Sequence, residues 1–415
     1  MNHPTRWVKY DFELDRISNK FKVKMRENKL HSIFDIFRVI VPLVLVIFFT
    51  FLARVIFSPL LVPMEVDLHL SHTSAGSLFF FISLGYAPTM LCSGFVSGRV
   101  THYGAILLSS TICGLALLMI SFNSRLVWLQ FGMFVLGVGA GLYFPSGMAI
   151  LTHLVEKEHW GKAIAFHEAG PNLGFVLAPI VAELGLSFSS WRGIVVSLGF
   201  ACLVVAAIFA LFGTGGRFLG EPPRFANVKL VCSRPSFWVI AIMLSFVAAA
   251  SMGVYSILPV YLISERNMDP TLANTVIGLS RLSGFFSLFF AGWLADRFGV
   301  ELVMGCIYLA SGFLTMLLGF ASNGWLIFTV FLQPMVATSF FPVSVLALAN
   351  TESSHTRDVA ISLMVPFVYL FAGGIVPIGL GAMGEYYKFG IGLILMGSFL
   401  LFSLLPLNIS SDSAT

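Results

Sequence analysis

The sequence has very little charge. Asp, Glu, Lys and Arg together make up 11% of its 415 residues, whereas about 25% is usual in soluble domains. The net charge is only +4, and no basic stripe interleaved with aromatic residues is present to contact phosphates. These shortages exclude an ordinary soluble enzyme, a disordered chain and a nucleic-acid-binding protein. Hydrophobic residues make up 57% of the chain, and the mean hydropathy of +0.91 indicates a membrane protein.

Motifs for catalysis and cofactor binding are also missing. The sequence has no P-loop, so ATP is not expected to be the direct energy source, and it has no HExxH motif, Cys/His cluster or nucleophile elbow. Its five cysteines form no CxxC pair, and four of them lie in apolar runs, which is typical of reduced, packed thiols. We therefore expect no enzyme activity, no cofactor and no metal site. The cysteines are Cys92, Cys113, Cys202, Cys232 and Cys306.

Long apolar runs dominate the rest of the chain. About 20 apolar residues are needed to cross a hydrocarbon core of about 30 Å as a helix. Twelve such runs are present, and no apolar segment precedes the first of them, so no cleavable signal peptide is expected. The predicted spans lie near residues 39–63, 74–96, 104–122, 126–153, 163–186, 192–213, 237–263, 272–294, 302–321, 325–349, 359–383 and 390–408.

The basic residues predict the orientation of these spans. Eighteen of the 24 Lys and Arg residues lie on one side, chiefly in the N-terminal tail and in the loop 214–236. Only four lie on the other side: Arg125, Arg192, Arg266 and Lys388. Because Lys and Arg accumulate in cytoplasmic loops, both termini are predicted to be cytoplasmic, in a multi-pass protein of the cell (inner) membrane. The basic tail could also touch anionic lipid headgroups.

The predicted spans divide into two halves that resemble each other. The fold prediction is an all-α membrane protein with twelve transmembrane helices in two six-helix halves. Matching residues recur about 197 positions apart, including Phe144-Pro145 with Phe341-Pro342 and Ala163-Ile164 with Ala360-Ile361. Repeated halves often form one transport site between them. The predicted parts are a cytoplasmic tail (1–38), a first half (39–213), a cytoplasmic loop (214–236), a second half (237–408) and a cytoplasmic tail (409–415).

One loop carries a family resemblance. The segment AGWLADRFG (291–299) resembles the cytoplasmic loop motif of the major facilitator superfamily, a family of secondary transporters. The resemblance implies that Gly292, Asp296 and Arg297 act in a gating loop, with Asp296 capping a helix end and Arg297 latching neighbouring helices. The repeat copy, SGFVSGRVTHYG (93–104), keeps Arg99 but has Gly98 in place of the acid. The alternative is a solvated pair of little energetic value.

Two arginines lie inside predicted spans. Arg54 in the first span and Arg281 in the eighth are predicted at a similar depth near the membrane centre, where no acid in a span matches them. A charge at this depth costs about 2.5–3.5 kcal/mol, so each is a functional candidate. The planar guanidinium suits bidentate capture of carboxylate or oxyanion oxygens. Pairing with helix carbonyls, Glu183 or interfacial water is the structural alternative.

The fifth predicted span has unusual polar content. His167 and Glu168 could exchange a proton during transport, or could simply mark a helix end at the interface. Neighbouring helix positions point about 100° apart, so we do not expect these two side chains to face one spot. The segment GPNLG (170–174) resembles part of a fifth-span motif of antiporters in the superfamily, and Asn172 resembles the asparagine-glycine pattern of nitrate/nitrite porters. Arg281 fits the eighth-span arginine of those porters, but its repeat partner is Ser83.

Neutral polar residues, Asn172 among them, complete the predicted binding site. Tyr86, Tyr143, Tyr255 and Gln333 could donate hydrogen bonds to a ligand, or could serve only in helix packing. The resemblance places the last three on cavity-lining spans. The expected partners are a small anionic substrate, protons or a counter-anion, and the lipid bilayer, with no nucleic acid, and the protein is expected to be a monomer.

Three functions agree with these features. The first is secondary transport of a small organic acid or inorganic oxyanion by alternating access, coupled to protons or to anion exchange. The second is proton-driven efflux of a drug or metabolite, which the GPNLG segment favours and the two arginines disfavour. The third is a receptor or scaffold that does not transport.

Overall fold

The described part of the chain is entirely helical. The computed structural model describes residues 33–156, 159–222, 225–351 and 354–402, and within them no β-strand occurs. Residues 1–32 of the predicted N-terminal tail and the whole predicted C-terminal tail, 409–415, lie outside the described residues. A helix satisfies its backbone hydrogen bonds within itself, which lipid requires. The all-α prediction is confirmed.

The helices follow each other with short connections. In residues 33–222 they are α1 (Ile33–Val55), α2 (Phe57–Leu68), α3 (His72–Ser121), α4 (Leu126–Gly141), α5 (Tyr143–Leu154), α6 (Trp160–Leu186) and α7 (Trp191–Phe212). In residues 225–402 they are α8 (Phe225–Cys232), α9 (Pro235–Ala248), α10 (Val254–Val260), α11 (Pro270–Phe298), α12 (Val300–Phe320), α13 (Asn323–Thr338), α14 (Phe340–Thr351), α15 (Ser354–Leu370), α16 (Val376–Tyr386) and α17 (Phe389–Phe402).

Nine segments of the described residues are long and apolar enough to cross a membrane. One of them is the 50-residue α3, which extends over two predicted spans and is interrupted at Thr101, where φ is +69°. The helices α11 and α17, which cover two other predicted spans, are not among the nine. The chain is therefore a multi-pass membrane protein, and the count of twelve spans stays a prediction.

Glycines allow neighbouring helices to touch through their backbones. A Cβ on Gly85 of α3 would overlap the carbonyl oxygen of Phe134, and one on Gly137 of α4 would overlap that of Ile82. The contact between α12 and α17 has the same basis, because a Cβ on Gly319 would overlap the Gly390 carbonyl. In lipid the hydrophobic effect does not drive helices together, so association depends on the close van der Waals packing that small residues allow.

Short π-helical turns interrupt two helical segments of residues 225–402. They are Ala249–Gly253, between α9 and α10, and Phe371–Ile375, between α15 and α16. A third π-helical turn, Tyr261–Glu265, follows α10. A π-helical turn loosens the regular hydrogen-bond ladder, and such turns occur frequently at functional sites. The first two lie beside the cavity described below.

The predicted cytoplasmic loop, 214–236, is partly helical because it contains α8. Its beginning lies against the bend of α3: the amide of Tyr103 donates to Gly216 O over 2.8 Å, and the amide of Gly220 donates to Ser97 O over 3.2 Å. These bonds attach the start of the loop to residues 33–156. The domain boundaries themselves remain predictions.

Two hydrogen-bonded latches join residues 33–222 to residues 225–402. On α6, the Glu183 carboxylate accepts from Thr271 Oγ1 at 2.6 Å and from Asn274 Nδ2 at 3.0 Å, both on α11. On α16, the Glu385 carboxylate accepts from the Thr73 amide of α3 at 3.1 Å. Thr73 and Thr271 are each the second residue of their helix, so both carboxylates lie at the positive end of a helix dipole. We call the end of the molecule that carries these two latches the closed end.

Candidate functional site

A cavity lies between the two parts of the chain. Its volume is about 50 Å³, and its wall combines residues of α1, α2, α3, α6, α10, α15 and the two π-helical turns beside them. Arg54 is the only charged residue among the described residues that line it. The wall is formed by Phe51, Arg54, Val55, Ser58, Phe79, Ile82, Ser83, Phe175, Met252, Tyr255, Ser256, Tyr369 and Gly373.

Aromatic rings surround the guanidinium of Arg54. Its Cζ lies 4.5 Å from the ring centroid of Tyr86, 4.9 Å from that of Phe51 and 5.7 Å from that of Tyr369. Its Nε is buried without a hydrogen-bond partner. No carboxylate of the described residues forms an ion pair with it. Cation–π contacts stabilise the positive charge in part and leave the edge of the fork free of an anionic partner.

Arg281 is more deeply buried and makes two hydrogen bonds, although its Nε, like that of Arg54, has no partner. It is 6% exposed, and its Nη atoms donate to Ser251 Oγ at 3.2 Å and to Ser251 O at 3.1 Å. Its Cζ lies 4.4 Å from the Tyr255 ring centroid and 5.1 Å from that of Phe175. Ser251 belongs to the π-helical turn Ala249–Gly253, where the altered ladder presents a carbonyl to the arginine. Arg281 does not line the cavity, so the structure brings only one of the two predicted arginines to it.

Aromatic rings connect the stack around Arg54 to the stack around Arg281. The centroids of Phe51 and Phe175 are 4.8 Å apart, and those of Phe175 and Tyr255 are 4.9 Å apart, both edge to face. Sequence reasoning predicted Tyr86 and Tyr255 but missed Phe51, Phe175 and Tyr369. The chain has 42 Phe residues, and nothing in its pattern separates cavity-lining rings from lipid-facing ones.

Three other predicted ligand contacts lie elsewhere and bond to backbone. Asn172 Nδ2 donates to Glu168 O at 2.8 Å, one turn back on the same helix. Gln333 is 2% exposed, and its Nε2 donates to Ala250 O at 2.6 Å. The hydroxyl of Tyr143 donates to Leu43 O at 2.7 Å. None of the three lines the cavity.

His167 and Glu168 form a hydrogen-bonded pair. His167 Nδ1 lies 3.1 Å from Glu168 Oε1; the imidazole is fully buried, while the Glu168 side chain is 40% exposed. The expectation that these neighbours cannot face one spot was wrong. It followed from the Cα–Cβ directions alone, and rotation about the side-chain torsions brings the two ends together. The pair therefore connects a buried ring to an accessible carboxyl group.

Tyr143 determines the tautomer of this histidine. Its oxygen lies 3.0 Å from His167 Nε2, and the rings are stacked. Because the Tyr143 proton is used on Leu43 O, the hydroxyl can only accept from His167, which requires a proton on Nε2. The 3.1 Å contact between Nδ1 and Glu168 then needs a further proton, carried either by Nδ1 or by the carboxyl group. Without this proton, a ring lone pair would face a carboxylate.

The three charged residues of the predicted gating loops are exposed. Asp296 and Arg297 lie at the end of α11 with no ion pair between them, and the Arg297 Cζ stacks over Trp293 at 5.4 Å. Arg99 is also exposed. A Cβ on Gly292 would meet no atom within 4 Å. Their roles remain predictions.

Comparison with known proteins gives relatives that include transporters of hexose phosphate and sulfoacetate. The chain is 21% identical over 347 residues to a probable hexose phosphate transport protein of Chlamydia trachomatis, covering 74% of this chain and 76% of the relative. It is 23% identical to the probable sulfoacetate transporter SauU of Cupriavidus necator (82% and 83% covered). It is also 25% identical to the membrane sensor protein UhpC of Escherichia coli (73% and 75% covered).

The fold and a family model agree with these relatives. The crystal structure of a bacterial homologue of the human lysosomal transporter Spinster, in an inward-facing and occupied conformation, aligns with a TM-score of 0.77 at 16% identity. The alignment covers 90% of this chain and 96% of that one. The model of the Major Facilitator Superfamily matches residues 43–377. The chain therefore belongs to the Major Facilitator Superfamily of membrane transporters, and is not an enzyme.

Proposed function

We propose that this protein is a secondary active transporter that moves a small anionic solute across the cell membrane by alternating access. The observation that carries the proposal is Arg54, a cation on the cavity wall with no acidic partner among the described residues. A partly buried charge without a counter-charge is unfavourable, and an anionic solute would supply the missing partner. Relatives that transport a hexose phosphate and sulfoacetate favour the same class of solute.

The proposed architecture is two six-span halves, 39–213 and 237–408, with both termini in the cytoplasm. The closed end carries Glu183 and Glu385, and it is the end that the distribution of Lys and Arg predicts to be external. The cavity would then be reached from the cytoplasm in this conformation. The similarity to an inward-facing transporter supports this interpretation.

Proton coupling is proposed at His167 and Glu168. The donor count at Tyr143 implies a proton shared between the two side chains, and the partly exposed carboxyl group gives that proton a route to water. Release of the proton would leave Nδ1 facing a carboxylate and would loosen the contact of α6 with α1 and α5. The protonation state of the pair could thus change how the helices beside the cavity pack.

The direct test is uptake into liposomes containing the purified protein. A panel of radiolabelled anions (organic sulfonates and carboxylates, phosphate, nitrate and glucose 6-phosphate) would be compared in the parent and in Arg54→Gln. We expect uptake of at least one anion and its loss in Arg54→Gln, with unchanged uptake in the matched control Arg125→Gln, which alters an exposed arginine at the start of α4. Uptake that persists in Arg54→Gln would overturn the assignment.

A second function is favoured by one relative, the membrane sensor protein UhpC. A sensor would bind an anion at Arg54 without moving it. Ligand-induced thermal stabilisation together with the absence of flux in liposomes would identify a sensor, since a bound ligand raises stability by mass action. Proton-driven efflux is distinguished by the direction of transport. If the protein is an efflux antiporter, inside-out vesicles will accumulate the solute when their lumen is acidified.

A further inference from the structure

We propose that the cavity selects a small organic monoanion with a short apolar body, such as an alkyl carboxylate or sulfonate, over dianions and sugar phosphates. This inference rests on the proposed function and narrows its substrate class. It differs from what the names of the transporting relatives state, because hexose phosphate and sulfoacetate both carry more than one negative charge near neutral pH.

The first argument is the number of charges. Arg54 contributes one positive charge, and no other Lys, Arg or His among the described residues lines the cavity. Arg281 is sealed behind the rings of Phe175 and Tyr255, with its guanidinium bonded to Ser251. A second negative charge on the solute would therefore lack a partner in a wall of low polarity, and desolvating an unpaired charge is costly.

The second argument is the way in which Arg54 is held. The rings of Tyr86 and Phe51 cover its guanidinium faces, so only the edges of the fork remain for a ligand. A carboxylate or sulfonate can bond to two N–H groups on an edge of the fork through two of its own oxygens.

The third argument is the wall itself. Rings and aliphatic groups make up most of it, and the three serines provide few free donors. Ser58 Oγ donates to Tyr255 O at 2.6 Å, and Ser256 Oγ donates to Met252 O at 3.0 Å. The several hydroxyl groups of a sugar would lose water without gaining equivalent bonds, whereas a short alkyl chain would be buried favourably. The free space in the cavity is small, about 50 Å³, which favours a short chain.

The test compares four probes on the purified, reconstituted protein. They are 1-propanesulfonate (a monoanion with an alkyl body), sulfoacetate (a dianion), glucose 6-phosphate, and 1-propanesulfonamide (a neutral isostere). Sulfonates remain ionised near neutral pH, so they do not leak through the bilayer as neutral acids. Binding would be measured by thermal stabilisation, and transport by counterflow.

We expect 1-propanesulfonate to bind at least about tenfold more tightly than sulfoacetate or glucose 6-phosphate, a difference of about 1.4 kcal/mol. The sulfonamide should not compete. Arg54→Gln should abolish the binding of 1-propanesulfonate. If transport depends on Arg54 but sulfoacetate or glucose 6-phosphate is preferred over 1-propanesulfonate, this inference is wrong and the proposed function stands. If the protein neither binds nor transports any of these three anions or of the wider anion panel, the proposed function itself is wrong.

A variant with a second cation provides an independent check. Ser83 lines the cavity at the position that corresponds to Arg281 in the internal repeat. Ser83→Lys should shift the preference towards sulfoacetate by about tenfold, because the dianion gains a second partner. An unchanged preference in a variant that folds normally would contradict the charge argument. If Ser83→Lys does not fold, the order of the probes on the parent protein still decides the question.

Discussion

The rings of Phe51 and Phe175 meet edge to face with their centroids 4.8 Å apart, and this contact joins the stack around Arg54 to the stack around Arg281. Phe51 belongs to α1 and Phe175 to α6, while Tyr255, the next ring, belongs to α10. The chain of rings therefore crosses from residues 33–222 to residues 225–402 beside the cavity. One arginine lies on the cavity wall and the other supports that wall from behind.

This arrangement predicts different roles for the two arginines. Arg281→Lys should lower the free energy of unfolding by about 1–3 kcal/mol, because an ammonium group cannot bond both oxygens of Ser251 and stack on Tyr255 as the planar fork does. Arg54→Lys should instead weaken anion binding about tenfold or more. Thermal unfolding of the purified variants and ligand titration would be compared. If Arg281→Lys weakens binding as much as Arg54→Lys does, Arg281 contacts the solute after all.

The proton shared by His167 and Glu168 gives a second prediction. In Glu168→Gln the side-chain amide can donate to Nδ1 of a neutral imidazole, so the contact survives without an exchangeable proton. We expect stimulation of uptake by a proton gradient to disappear and counterflow to persist. Measuring both in the same liposomes distinguishes uncoupling from a folding defect. Gradient-driven uptake that is unchanged in Glu168→Gln would contradict proton coupling at this pair.

Tyr143→Phe tests the same site through the tautomer, and it is expected to weaken the coupling of uptake to protons. Removing the hydroxyl frees His167 to carry its proton on Nδ1, where it can bond to the carboxylate without a further proton. The pair then no longer needs a shared proton, so stimulation of uptake by a proton gradient should be weaker than in the parent. Tyr103→Phe is the matched control, because that hydroxyl also donates to a carbonyl, Ala210 O. An equal loss of stimulation in both variants would contradict the role of Tyr143.

The sequence predicted much of this molecule because lipid imposes strong rules on a chain. Long apolar runs predicted helices, and the high cost of a charge in the membrane singled out Arg54. The same rule could not tell Arg54 from Arg281, because the difference lies in Ser251, whose carbonyl is presented by a π-helical turn. Gln333 was equally ambiguous, because an amide bonds to a ligand or to a carbonyl such as Ala250 O with the same chemistry.

Opening of the closed end should depend on the two latches. Glu183→Ala removes both bonds to Thr271 and Asn274. Each bond is partly exposed, so we expect a loss of about 1 kcal/mol in the closed state, which changes its ratio to the open state about fivefold. A cysteine at Ser256, on the cavity wall, would report opening through its rate of labelling by a membrane-impermeant thiol reagent.

The labelling would be carried out in a background in which the five native cysteines are replaced by alanine. The reagent would be added separately to each side of the membrane. Faster labelling of Ser256→Cys in Glu183→Ala is expected from the side of the closed end only. Glu301→Ala, which changes an exposed acid at the start of α12, is the matched control. Equal rates with and without Glu183 would show that the latch does not hold the closed state.

Two glycines should respond differently to the same substitution. Gly137→Ala would push a methyl group into the Ile82 carbonyl, so α4 must move away from α3, and we expect a loss of about 1–3 kcal/mol from this overpacking. Gly292→Ala meets no atom within 4 Å. Alanine favours the helix over glycine by up to about 1 kcal/mol, so Gly292→Ala should unfold at the same temperature as the parent or higher. A clear fall in the unfolding temperature of Gly292→Ala would contradict the packing described for α11.

Because the family motif places Gly292 in a gating loop, uptake should be measured on the same preparation. Normal stability with reduced uptake would place the requirement for glycine in a different conformation of the transport cycle, in which this end of α11 approaches a neighbouring helix.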